Sequence, residues 1–128
     1  MEGGRARQAP TKLRARPAAN LPPRLSSQST IPVLVDVWAT WCGPCKLVAP
    51  LLPKVEAAAG GGLKVVKMNA DSAPALVEKY KVYGLPALLL FKDGAQVKGA
   101  QREGAIGLAA LLDWVASFGV EVTKPAPK

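Results

Sequence analysis

The strongest constraint in this chain is a short apolar run that leads straight into a pair of cysteines. The run Val33–Trp38 is rich in β-branched residues and has the length of a buried strand. The sequence W-C-G-P-C (residues 41–45) follows it, and a helical pattern comes next. In open α/β sheets, binding and catalytic sites form at the carboxyl edge of the strands. The pattern therefore predicts an α/β fold with a candidate site where this strand ends.

The chain after this strand alternates between helical and extended patterns. Apolar residues recur every three or four positions from residue 42 to about residue 59, which predicts a helix that Pro50 kinks and three glycines end. A strand is predicted at 63–68, followed by a short helix that Asp71 or Ser72 caps and that ends near Tyr80. Two more strands, at 87–91 and 96–101, are predicted on either side of an Asp93-Gly94 turn. The last predicted helix covers about 108–118 and ends at Gly119. Strands separated by helices are expected to run parallel, and the fourth strand antiparallel to the third.

Cys42 and Cys45 are the candidate redox centre. Residues three apart face one another on a helix, so the two sulfurs can close a disulfide. Cys42 is expected at the helix N-terminus, where free N–H groups and the helix dipole stabilise a thiolate, the attacking species in disulfide exchange. Pro44 stiffens the loop, and Trp41 can shield one side of the sulfurs. The alternatives are half of a metal site completed by a partner protein, or two unrelated buried thiols.

Asp36 interrupts the apolar strand, where an unpaired carboxylate is unfavourable. Either it points to a polar or exposed face, or it is a semi-buried carboxyl with a raised pKa that takes a proton from Cys45. Lys67 in the next strand either sits beside Asp36 or is an ordinary surface lysine. Pro86, at the start of the third strand, is compatible with a trans or a cis peptide bond. Gly104 can be read as an ordinary turn glycine.

Composition removes several classes of protein. The 128 residues suit one domain and include two cysteines and no histidine, which excludes a disulfide scaffold, a Cys-His or Ser-His-Asp nucleophile and a closed zinc site built from this chain alone. We expect no metal and no cofactor. The longest apolar run is strand-sized, so we expect no membrane span.

The net charge is +8, but residues 1–30, with six basic residues and one acidic residue, contribute +5 of it. The high isoelectric point is therefore weak support for a nucleic-acid partner, and none is expected.

The domain boundaries follow from these shifts in composition. Residues 1–30 lack hydrophobic periodicity and are predicted to be a disordered basic head, which is also Arg-rich and poor in acids like an organelle transit peptide. Residues 31–119 are the predicted domain, and residues 120–128 a C-terminal tail.

The motifs V-D-V-W-A-T-W-C-G-P-C-K, K-M-N-A-D, G-L-P and F-K-D-G resemble the thioredoxin family, in the right order, over about residues 31–119. The resemblance implies a thioredoxin-like α/β fold, a central mixed sheet with flanking helices. It implies a protein-disulfide reductase that needs no cofactor, with Cys42 as the nucleophile and Cys45 as the resolving thiol. The other roles it implies are Asp36 as proton acceptor, Lys67 as its neighbour, a cis Pro86 facing the sulfurs, Gly43 and Pro44 within the redox loop, and Trp41, Leu85, Pro86 and Gly104 on the substrate groove.

The motifs K-V-Y-G-L-P and R-E-G-A-I are similar to the plastid x-type thioredoxins. This likeness implies a chloroplast stroma address, a 2-Cys peroxiredoxin as target and ferredoxin–thioredoxin reductase as electron donor; the alternative address is the cytoplasm. We expect a monomer.

Two features depart from the family pattern. Ala87 replaces the usual threonine after the proline, and residues 1–30 offer no convincing version of the family's first strand and helix. If both elements are missing, the strand at 63–68 becomes an exposed edge and the core is marginally stable. The alternative function is therefore a non-catalytic binding or chaperone-like module on the same fold.

Overall fold

The computed structural model describes residues 31–123 and forms one four-stranded sheet with helices on both faces. The order of elements is β-α-α-β-α-β-β-α, which is the predicted order β-α-β-α-β-β-α with the first helix divided into two segments. The strands are β1 (Val33–Trp38), β2 (Lys64–Asn69), β3 (Ala87–Lys92) and β4 (Ala95–Glu103). The helices are α1 (Cys45–Val48), α2 (Leu52–Ala58), α3 (Pro74–Lys79) and α4 (Leu108–Ala116), and short 3-10 turns occupy Ala49–Leu51 and Ala70–Ser72.

The strand order is β2-β1-β3-β4, which makes β1 a central strand. It runs parallel to β2 and antiparallel to β3, so the sheet is mixed. The rule that helix-separated strands run parallel is therefore wrong for β3. The six residues of α3 extend only about 9 Å, whereas a strand of six residues spans about 20 Å. The helix covers less than half the length of a strand, and β3 starts at the end of the sheet where β2 stops.

Proline divides the helix that follows β1. The sequence predicts one helix from residue 42 with a kink at Pro50. The structure instead has two α-helical segments joined by the 3-10 turn that contains Pro50, and Pro53 lies in the first turn of the second. Proline lacks the N–H that an α-helical hydrogen bond requires, so Pro50 interrupts the helix, whereas Pro53 is tolerated in a first turn, where the N–H would have no intrahelical partner. The first segment begins at Cys45 rather than at Cys42.

The helix caps in the connection from β2 to β3 also differ from the predicted ones. Asn69, not Asp71 or Ser72, supplies the capping oxygen, which accepts a hydrogen bond of 2.9 Å from the N–H of Asp71. Helix α3 has no side-chain cap and starts with Pro74, whose missing N–H needs no partner in a first turn. The Asp93-Gly94 turn is confirmed: both residues have positive φ angles, 54° and 86°, as a two-residue hairpin turn requires.

Two apolar cores lie on opposite faces of the sheet because side chains alternate along each strand. Val33, Val35 and Val37 of β1 face the core beneath α3, and Leu34 faces the core beneath α2 and α4. The stripe of α4 is buried as the periodicity predicts, at Leu111, Leu112 and Val115.

Packing continues past Gly119, the last residue of the predicted domain. Val120 is buried, and the N–H of Thr123 donates a hydrogen bond of 2.8 Å to the carbonyl of Ala58. Within residues 31–123, β2 is an outer strand of the sheet. The expected head at residues 1–30, the question of a first strand and helix, and the end of the tail lie outside the described residues. No helix in the described part of the chain is long and apolar enough to cross a membrane.

Candidate active site

Cys42 and Cys45 form a disulfide at the carboxyl end of β1, with their Cα atoms 5.4 Å apart. A tight turn carries Cys42: its N–H donates to the carbonyl of Ala39 at 3.2 Å, and the helical hydrogen bonds begin only after it. Each cysteine is 4% exposed and packs in a small cluster with Ala39. The pair therefore sits in the turn that feeds α1, with little of either residue open to solvent.

The two sulfurs differ in their hydrogen bonding. The backbone N–H of Cys45 points at Sγ of Cys42 over 3.1 Å, a buried contact. A donor held at this distance stabilises negative charge on the sulfur that it faces. Of the two sulfurs, Cys42 Sγ is thus the one prepared to carry charge as a thiolate. Gly43 and Pro44, between the cysteines, are exposed.

Asp36 is buried in the middle of β1, with 1% of its surface exposed. Within the described residues its Oδ1 has no hydrogen-bond partner. Burial raises the pKa of this carboxyl from 3.8 to about 6, and the positive charge of Lys67 acts in the opposite direction. Lys67 pairs with Asp36 in the register of β1 and β2, and its side chain is exposed. Because side chains alternate along a strand, Asp36 lies on the same face of β1 as Trp38, which packs against the cysteine cluster.

Pro86 follows a cis peptide bond at the start of β3. Its carbonyl accepts a hydrogen bond of 2.8 Å from the N–H of Gly104, so the chain segments that contain Pro86 and Gly104 lie side by side. Gly104 has a φ of +99°, a backbone conformation that residues other than glycine rarely adopt. Leu85 packs against the cysteine cluster. Of the predicted groove residues, the structure thus places Leu85 against the cysteine cluster and Pro86 beside Gly104.

A groove of about 610 Å³ opens beside Trp41. Leu85 lines it as well, and so links it to the cysteine cluster. Its other lining residues, which sequence reasoning did not assign to the site, are Ala70, Asp71, Pro74, Val77, Glu78, Val82, Tyr83 and Gly84. Trp41 and Tyr83 are 69% and 84% exposed. In the sequence, an aromatic residue beside a glycine, Tyr83-Gly84, directly before Leu85-Pro86 could have pointed to this side of the groove.

The described residues contain no group of three or more His, Cys, Asp or Glu side chains that could hold a metal ion. The chemistry that the arrangement supports is thiol–disulfide exchange. Two cysteines that close a disulfide across a short loop, one of them beside a backbone donor, can accept and release two electrons. Fold and site together define the class of dithiol–disulfide oxidoreductases.

Comparison with known proteins gives the family. The Thioredoxin family model matches residues 19–117, and the chain belongs to the thioredoxin family. Chloroplastic thioredoxin X of Arabidopsis thaliana is 48% identical over 88 residues, which are 69% of this chain and 48% of the plant protein. Thioredoxin of Mycolicibacterium smegmatis is 51% identical over 86 residues, 66% of this chain and 75% of the bacterial protein. Thioredoxin of Rickettsia felis is 41% identical over 91 residues, which are 69% of this chain and 82% of the bacterial protein. The chain therefore spans about half the length of its plant relative and more of its bacterial ones.

Proposed function

We propose that this chain is a protein-disulfide reductase that cycles between the Cys42–Cys45 disulfide and two thiols. The observation that carries the proposal is the pair itself: a disulfide at the end of a central strand, with the Cys45 N–H directed at Cys42 Sγ. Membership of the thioredoxin family supports the same reaction.

In the proposed reaction, the Cys42 thiolate attacks one sulfur of a target disulfide. A bond forms between Cys42 and the target, and the other target sulfur leaves as a thiolate. Cys45 then loses its proton and attacks Cys42 Sγ, which releases the second target thiolate and closes the Cys42–Cys45 disulfide. The target gains two electrons and the chain loses two. A dithiol or a reductase must return the chain to its reduced form.

Asp36 is the proposed acceptor of the Cys45 proton. A carboxyl whose pKa is raised to about 6 holds protons more tightly than an ordinary aspartate, and so is a stronger base near neutral pH. Lys67 tunes this group, because its charge favours the carboxylate and limits the rise in the pKa.

Trp41, Leu85, Pro86 and Gly104 are the proposed substrate-binding residues. Exposed apolar surface beside a reactive group suits an extended segment of a partner protein, and Trp41 presents most of its ring to solvent. Gly43 and Pro44 are the proposed spacer that keeps the two cysteines within reach of one another.

The compartment and the partners that we propose rest on the likeness to plant thioredoxins. Similarity to a thioredoxin X that is named as chloroplastic supports the chloroplast stroma. The proposed target, a 2-Cys peroxiredoxin, and the proposed donor, ferredoxin–thioredoxin reductase, rest on the likeness of K-V-Y-G-L-P and R-E-G-A-I to the plastid x-type thioredoxins. Bacterial thioredoxins of similar identity keep the cytoplasm as the alternative. Import of the full-length chain into isolated chloroplasts separates the two addresses.

The deciding experiment is dithiothreitol-driven reduction of insulin disulfides by the full-length chain, with Cys42→Ser as the control. We expect turnover by the wild type and none above background by the variant. Folded wild-type protein without turnover would reject the reductase. Binding of insulin that survives in Cys42→Ser, together with no turnover in the wild type, would favour the non-catalytic binding module instead.

A further inference from the structure

The last residue of β4 reaches across to the segment that precedes the cis-proline. Oε2 of Glu103 accepts a hydrogen bond of 2.9 Å from the backbone N–H of Tyr83, twenty residues earlier in the chain. Tyr83 lies between α3 and β3, outside any strand, so no ladder partner is available to this N–H. The side chain of Glu103 supplies the acceptor that the sheet does not.

The same carboxylate lies directly over Gly84. A Cβ atom added to Gly84 would come within 3.0 Å of Oε1 of Glu103, closer than real Cβ atoms are normally found to any neighbour. Glycine is therefore what allows the carboxylate to approach the backbone here. One oxygen of the side chain thus accepts the hydrogen bond from Tyr83, and the other lies close to the next residue, Gly84.

A second contact holds the other end of this segment. The N–H of Gly104, the residue next to Glu103, donates to the carbonyl of Pro86 at 2.8 Å. Residues 83–86 are thus held at both ends by the dipeptide 103–104, once by a side chain and once by the backbone. Between these contacts lies Leu85, which packs against the cysteine cluster and lines the groove.

We propose that Glu103 is a positioning residue that holds the Tyr83–Leu85 wall of the groove in place for protein substrates. Glu103 touches neither sulfur and acts only through the backbone of Tyr83 and Gly84. The inference rests on the proposed reductase function, since it names a determinant of substrate binding at the same site. On this inference, binding of a protein segment depends on the Tyr83–Leu85 wall, whereas thiol–disulfide exchange at the two cysteines does not.

The kinetic test compares insulin with a small disulfide, hydroxyethyl disulfide. In Glu103→Ala the KM for insulin is expected to rise about fivefold, the factor associated with one lost hydrogen bond, with kcat little changed. The rate with hydroxyethyl disulfide is expected to stay within about twofold, because this molecule is too small to need the wall. An equal loss with both substrates would overturn the inference.

Two variants serve as controls. Glu103→Gln keeps a side-chain oxygen that can accept from the Tyr83 N–H, and is expected to restore the KM for insulin. Glu121→Ala removes an exposed carboxylate that lines a cavity with Pro32 and Gly61, at the other end of the sheet, and is expected to change nothing. A Gln variant as impaired as Ala, or a Glu121→Ala variant equally impaired, would contradict a role for the Tyr83 contact.

Hydrogen exchange of the Tyr83 amide tests the contact without any turnover. The amide is expected to exchange at least about fivefold faster in Glu103→Ala than in the wild type, and at the wild-type rate in Glu103→Gln. Unchanged exchange in Glu103→Ala overturns the inference even if the reductase proposal holds. If wild-type protein fails to reduce insulin, the reductase proposal fails, and the Tyr83 amide still decides whether Glu103 holds the wall.

Discussion

The indole Nε1 of Trp41 donates a hydrogen bond of 3.0 Å to Oδ2 of Asp71, thirty residues further along the chain. Trp41 is otherwise largely exposed, with 69% of its surface open to solvent. The bond therefore sets the orientation of an apolar ring that would be free to swing, directly beside Cys42. Asp71 is itself held by Asn69, whose side-chain oxygen accepts the Asp71 N–H.

This relationship predicts that Asp71→Ala releases the ring. The kcat/KM for insulin is expected to fall about threefold to tenfold, since one hydrogen bond to a charged acceptor is lost at an exposed position. Asp71→Asn keeps a side-chain oxygen and is expected to lose less. The Trp41 indole N–H resonance in NMR spectra follows the bond itself. An unchanged resonance in Asp71→Ala would show that the bond does not form in solution.

Asp36 predicts a pH dependence of stability. Its folded-state pKa of about 6 lies above the value of 3.8 expected when the chain unfolds. Between about pH 4 and pH 6 the folded chain keeps a proton that the unfolded chain has lost, so stability falls as pH rises through this window. The full effect of about 3 kcal/mol is reached above the folded pKa.

Asp36→Asn is therefore expected to be more stable than the wild type at pH 8 by up to about 3 kcal/mol, and similar to it below pH 4. Urea unfolding across this pH range is the measurement. Lys67→Met removes the charge that lowers the Asp36 pKa and is expected to shift the window to higher pH. A difference between wild type and Asp36→Asn that does not vary with pH would refute the assignment.

Cys45→Ser is expected to trap the intermediate of the proposed reaction. With Cys42 able to attack but no second thiol to resolve, a mixed disulfide with the target accumulates. Intact-protein mass spectrometry after mixing with insulin detects it as an adduct that dithiothreitol removes. Cys42→Ser is the matched control and is expected to form little adduct. Equal adduct on both variants would contradict the assignment of Cys42 as the nucleophile.

Two leucines provide a matched test of the core. Leu112 of α4 is 1% exposed in the core beneath α2 and α4, whereas Leu47 of α1 is 66% exposed. Leu112→Ala is expected to lower the free energy of unfolding by about 2–5 kcal/mol, because it leaves a cavity among packed side chains. Leu47→Ala is expected to change it by less than about 0.5 kcal/mol. Urea denaturation of both variants at one pH gives the comparison.

Much of the fold could be predicted because its signals are local. The bounds of β1 match the predicted run, β2 is shifted by one residue at each end, and β3 is longer by one residue at its end. The Asp93-Gly94 turn and the buried stripe of α4 follow from turn chemistry and from the helical period, which act over a few residues. The cysteine spacing, three positions apart, indicated the disulfide for the same reason.

Other features required the tertiary structure, because they join residues that are distant in the chain. The antiparallel direction of β3 is set by its pairing with β1, which no apolar period records. The burial of Asp36 depends on what covers β1, and the position of Lys67 beside it on the pairing of β1 with β2. The hydrogen bonds Trp41–Asp71 and Tyr83–Glu103 cross thirty and twenty residues. Local sequence thus determined the elements and the reactive pair, while strand order and packing decided which side chains surround that pair.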